Sequence, residues 1–161
     1  MPLRWLDVGA MRLLLALGFL GLISAPVRAA IGDDITVLYQ TYGSAQDLGA
    51  GVLLFRYKEN YEITVYLVQR HSSMEIIGRK KDLNGENPPL SDPEIQDFLA
   101  LQKGSMAWIP MKSQSSNKQA WRRTDNLVFA NYSPKAGLLT FLNPLEQGNN
   151  NTTEIKPPAK N

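Results

Sequence analysis

YEITVYLVQRHSSMEIIGRKK, residues 61–81, is the stretch whose reading decides the fold. Tyr61, Ile63, Val65 and Leu67 alternate with Glu62, Thr64 and Tyr66, the period of a strand with one buried face. Residues 69–73 form a polar break, and residues 74–81 resume as strand-compatible sequence around Ile76 and Ile77. Upstream, the apolar run 52–57 is joined to Tyr61 by Lys58-Glu59-Asn60, a connection of hairpin length. Three adjacent runs with short connections predict an antiparallel meander, and nothing in it has the pattern of a catalytic motif.

Outward from this meander, the clearest local signal is LSDPEIQDFLALQKG, residues 90–104. Ser91 and Glu94 have the spacing of a capping box, and Leu90 and Ile95 occupy the hydrophobic-staple positions. Pro93 falls in the first turn, where its missing N–H leaves no helical bond unmade. Ile95, Phe98 and Leu99 form the buried stripe and Gly104 the terminator. Nearer the N-terminus, Asp33 is placed to cap a helix carrying Ile35, Leu38, Tyr39 and Tyr42 at helical spacing, with Gly43 as its stop. Residues 44–51, with two glycines, read as a loop. After the second helix, residues 106–111, 119–124, 127–132 and 138–142 read as four more strands separated by turn residues.

Composition sets the class. The chain has 161 residues, 43% of them hydrophobic, which is enough for one domain with a core. Its formal charge of +2 resides before residue 30, in Arg4, Arg12 and Arg28 against Asp7, so the remainder is neutral. A neutral domain has no global field to attract nucleic acid or an anionic membrane. Residues 13–23 are an apolar run preceded by Arg12, and Val27 and Ala29 fit a signal-peptidase site. We therefore expect a signal peptide over residues 1–29, cleavage before Ala30, and an exported, periplasmic or secreted product. Met11 directly precedes the apolar run and is a second candidate start. The run is short of the roughly 20 residues that span a bilayer, so no integral span is expected in the mature chain. There is no cysteine, which excludes disulfides and a cysteine-linked lipid anchor. Residues 146–161, rich in Asn, Thr, Lys and Pro, read as a disordered tail after a single domain over residues 30–145.

These readings predict an α+β domain, an antiparallel sheet with two short helices packed on one face. The order helix, three strands, helix, four strands reads as a loose duplication, although beyond Gly43-Ser44 and Gly104-Ser105 the halves share negligible identity. Ile31-Gly32, the short helix, Tyr42-Gly43 and the meander resemble the small exported α-β-β-β modules of the SmpA/OmlA type and the β-lactamase-inhibitor-like fold. The resemblance covers about half of the mature chain. It implies a fold and a non-catalytic binding role, and carries over no individual residue. The chain departs from it in lacking the lipid-accepting cysteine and in having Ser44-Ala45 where those families tend to have a Gly-x-Pro turn.

Candidate chemistry is sparse. His71 is the sole histidine, beside Arg70 and two serines with no carboxylate neighbour, and reads as an exposed turn residue. One histidine and scattered carboxylates make no metal site, and no cofactor is expected. Asp92 and Glu94 sit in the first turn of a helix, where acids favour the dipole, and Asp97 follows them. The basic clusters Arg79-Lys80-Lys81 and Arg122-Arg123 are split between opposite faces by strand alternation and read as edge protection. Trp108 and Trp121 flank the loop 112–118, so a hairpin would bring them together. They read first as a core aromatic pair and, with Arg122, as a speculative binding ledge for a peptide or sugar. The leading expectation is thus a non-enzymatic envelope protein that binds another envelope protein, with its oligomeric state open. The alternative is a hydrolase or glycan-acting enzyme using carboxylates such as Glu62 or Glu75.

Overall fold

The computed structural model describes residues 30–102, 104–112 and 118–144; the expected signal peptide and the tail lie outside them. Helix α1 (Ile35–Tyr42) is followed by β1 (Ala45–Gly49), β2 (Val52–Tyr57), β3 (Tyr61–Val68) and β4 (His71–Arg79). Helix α2 (Asp92–Gln102) is followed by β5 (Trp108–Met111), β6 (Gln119–Arg123), β7 (Phe129–Ser133) and β8 (Leu138–Leu142). All eight strands form one antiparallel sheet in the order β1-β2-β3-β4-β8-β7-β6-β5. The fold is α+β, and it is two helix-plus-meander halves joined along β4 and β8.

Each half carries four strands after its helix, one more in the first half than the sequence reading allowed. The loop expected at residues 44–51 contains β1, whose residues pair with Leu53, Leu54 and Phe55 of β2. Ala50 and Gly51 close that hairpin at φ 50° and 75°, the geometry of a type I′ turn. The polar break expected at 69–73 shrinks to Gln69-Arg70, again both left-handed, and His71 already belongs to β4. The register slips between Tyr66–Met74 and Leu67–Ser72, which makes Ser73 a bulge. That bulge is why Ser72 and Ser73 are both buried although the sequence there looks like a turn.

Both helices lie on the sheet face formed by Leu53, Phe55, Ile63, Val65, Ile77, Leu139, Phe141, Ala130 and Tyr132. From α1 come Leu38 and Tyr42, the latter edge-on to Phe55 and Tyr57. From α2 come Ile95, Phe98 and Leu99, with Phe98 edge-on to Tyr61. Side chains of this size stabilise the fold by about 1.5–3 kcal/mol each when fully buried. The cap of α1 is Asp34, one residue later than expected: its carboxylate accepts from Thr36 N at 2.8 Å, whereas Asp33 accepts from Ala30 N at 2.6 Å.

The start of α2 also differs in detail from a reciprocal capping box. Ser91 N donates to Glu94 Oε2 at 2.7 Å as expected, but the Ser91 hydroxyl donates to that same oxygen at 2.6 Å. The reason is that Glu94 is drawn toward the sheet. Arg79 grips it through Nε and Nη2, and Tyr61 donates to its Oε1 at 2.5 Å. The Arg79 guanidinium, before the hydrogen bonds from Ser91 and Tyr61, holds the Glu94 carboxyl down at about 2. Between β4 and α2 the chain passes under the β7–β8 turn. Gly137 there has φ 65°, and a Cβ would overlap the Asn87 carbonyl.

Candidate functional site

Two features stand apart from ordinary packing: a carboxylate sealed in the core, and the sheet face that the helices leave bare. The carboxylate is Glu75. It shares the inner parity of β4 with Ile77 and is fully buried. Its Oε2 accepts from Tyr42 Oη at 2.7 Å and from Gln102 Nε2 at 2.5 Å. The same amide donates to Tyr42 Oη at 2.9 Å, while Gln102 Oε1 accepts from Ile31 N at 3.0 Å. This cluster therefore ties α1, α2, β4 and the chain before α1 together at one point. Glu75 Oε1 has no hydrogen-bond partner among the described residues. Burial pushes the Glu75 carboxyl up to about 7, against the pull of the Tyr42 and Gln102 hydrogen bonds. Burial, then the adjacent Glu75, pushes the Tyr42 phenol well above its ordinary value.

This geometry does not make the acid pair that a hydrolase would need. Glu62 lies on the opposite face, paired across the sheet with Gly78 and Arg56, so the two acids are separated by the sheet itself. Among the described residues no three His, Asp or Glu side chains converge as metal ligands. His71 is exposed at the start of β4, with Nδ1 3.0 Å from Gly32 O. Asp92 lines a shallow depression of about 460 Å³ with Gln96, Pro110, Met111, Lys118 and Trp121, which holds a single acid and no nucleophile–base pair.

The residues singled out as a binding ledge are not brought together. Trp108 and Trp121 share the helix-side face, where Trp121 is buried. Trp108 is half-buried against Phe141, with its indole N–H donating to Leu99 O at 2.6 Å. Arg122 points to the other face, next to Ile109 and Phe129, and bonds to Asn126 Oδ1. Arg123, on the helix side, pairs with Asp125 at 2.8 Å. The two arginines do sit on opposite faces, and Arg79 is engaged by Glu94.

The bare face is the feature that reading residues one strand at a time missed. Registers across β2, β3, β4, β8 and β7 align Val52, Tyr66, Met74, Leu142 and Phe129 in one row. The next row is Leu54, Thr64, Ile76, Thr140 and Asn131. Every member of the first row is only partly buried, and beyond the second row the loop before α2 brings the Asn87 side chain over Gly78 on this same face. The sequence signal was present: β3, β4, β7 and β8 carry large apolar residues at both parities, as strands buried on two faces do. The edges of the sheet are closed by comparison. Pro110 in β5 has no N–H to offer, and β1 carries a bulge and the inward-facing Asp47.

No protein-family profile matches this chain, and no curated protein matches it. Among solved structures it is similar to a cysteine-rich secretory protein from Staphylococcus aureus, at 16% identity and a TM-score of 0.36. The match covers 72% of this chain and 45% of that one, so this chain spans less than half of its length. A likeness of that size supports no argument about this fold or its use.

Proposed function

We propose that this is an exported, non-enzymatic envelope protein that binds another protein through the bare face of its sheet. The observation that carries the reading is the uncharged apolar row from Val52 to Phe129, left open on a sheet whose edges are protected. Contiguous exposed apolar surface of a few hundred Å² on a soluble domain marks an interaction site. The apolar run 13–23 and the small residues Val27 and Ala29 support export. Against the carboxylate-based enzymatic alternative, Glu75 is sealed in the core and Glu62 is on the opposite face of the sheet.

The test compares a charge placed on each face. Tyr66→Lys alters the bare face, and Tyr39→Lys alters the helix side, where the partly exposed Tyr39 ring lies edge-on to Phe55. Both proteins are captured from envelope extracts after chemical cross-linking, with urea midpoints measured alongside. The reading expects Tyr66→Lys to lose the adducts seen with the wild type while Tyr39→Lys keeps them. Equal adducts from both variants, with both folded, would refute it.

A further inference from the structure

We propose that the partner on this face is a second copy of the same chain, stacked open face to open face. This rests on the protein-binding reading above and names its occupant. The dyad would run across the strands, between the Tyr66–Met74–Leu142 row and the Thr64–Ile76–Thr140 row. Its basis is that the two rows are complementary to each other. The first is a ridge of large side chains, Tyr66, Met74, Leu142 and Phe129. The second has Thr64, Thr140 and Asn131 at the matching strands, a furrow broken by Ile76 on β4 and by Leu54 at its β2 end.

A half-turn about that dyad lays each copy's ridge in the other's furrow and keeps every strand opposite its own counterpart. Tyr66 then covers the partner's Thr64, Leu142 the partner's Thr140, and Phe129 the partner's Asn131, while Met74 meets the partner's Ile76 and Val52 the partner's Leu54 as apolar contacts. Large-on-small contact of this kind is what lets two twisted sheets interdigitate in aligned packing. Charge agrees with the arrangement. From β2 to β7 neither row contains a charged residue, and Arg122, beyond Phe129, would lie over the partner's Ala120 rather than over a cation. A charge-depleted apolar centre is the mark of interfaces between identical chains.

The size is adequate for a reversible dimer. Five strands at about 4.8 Å and two rows at about 7 Å give roughly 340 Å² in projection on each copy. The corrugation of large side chains raises the accessible area above its projection. Both copies together bury roughly 700 Å² in projection, the size of a small interface, so the dimer should be weak and reversible.

The absence of cysteine makes a positional test clean. Thr140→Cys and Leu142→Cys are purified after export, mixed, and treated with a short bis-maleimide. The mixture should give several-fold more covalent dimer than either variant alone, because only the mixed pair faces across the dyad. In parallel, sedimentation equilibrium of the wild type should show reversible doubling of mass, weakened about tenfold or more by Thr140→Lys. A wild type that stays monomeric up to about 100 μM, or cross-linking no greater in the mixture, overturns the proposal. A monomer whose Tyr66→Lys variant still loses a different envelope partner overturns self-association alone. A monomer with no face-dependent partner removes the binding reading as well.

Discussion

Glu75→Gln should abolish a pH dependence of stability that the wild type shows between mild acid and neutrality. Glu75 has a folded-state value of about 7 against an ordinary 4.5, caused first by burial. Because the folded state holds this proton more tightly, the stabilisation is fully present below pH 4.5 and is lost as pH rises through 7. At ~1.36 kcal/mol per unit, the difference is about 3 kcal/mol, and the side chain is fully buried, so solvent screening takes little from it. The acids held below their usual range, Glu94, Asp125 and Asp34, act in the opposite direction and only below about pH 4.5. The two effects occupy separate windows. Urea midpoints followed by the fluorescence of Trp108 and Trp121 should therefore rise as the wild type is taken from pH 7.5 to pH 5. Glu75→Gln is isosteric with the neutral acid and can keep an oxygen toward Gln102. It should equal or exceed the wild type at pH 7.5 and show a flat profile over that interval. A wild-type midpoint that is flat, or falls toward pH 5, would refute the assignment of a sealed, proton-holding carboxylate.

Gly137→Ala should lower stability by about 3 kcal/mol or more, since the new Cβ meets the Asn87 carbonyl at a left-handed φ; an unchanged thermal midpoint would mean the loop 82–90 does not lie there. Ile95→Ala should cost about 2–5 kcal/mol in urea melts. Ser91→Ala, whose hydroxyl binds the Glu94 carboxylate, should cost under about 1 kcal/mol. Glu94→Ala removes the acceptor shared by Arg79, Tyr61 and Ser91, and with Arg79 40% exposed it should cost about 1–2 kcal/mol at pH 7. Its disadvantage should fade as the wild type is taken from pH 4.5 toward pH 2. N-terminal sequencing of exported protein should begin at Ala30, and retention of residues 13–23 would contradict export by cleavage.

The sequence disclosed elements whose local chemistry agrees with their tertiary role. The β2–β3 hairpin has an apolar run and an alternating one joined by a short turn, and α2 has its staple, its acids and its stop, so both lie where the local pattern places them. Strand β1 was not legible because Ala-Gln-Asp-Leu-Gly has neither alternation nor β-branched residues, and it is a strand through its pairing with β2. The Ser73 bulge hid the start of β4 by breaking the parity of His71 to Met74. Glu75 could have been assigned to the core from its parity with Ile77. Yet Met74 and Ile76 argue equally for the opposite parity, and only the helices above decide between them. The bare face was unreadable for a related reason: a row across five strands exists only once the order β2-β3-β4-β8-β7 is known, and the β4–β8 pairing joins segments about sixty residues apart in sequence.

The most direct measurement is a photo-crosslinking scan in the living envelope, with a photoreactive residue placed singly at Tyr66, Leu142 and Phe129 and, on the helix side, at Tyr39, Gln96 and Ala100. The account predicts protein adducts from the three positions on the bare face and none from the helix side. Adducts confined to the helix side, or none from the bare face in a folded and exported chain, would contradict it.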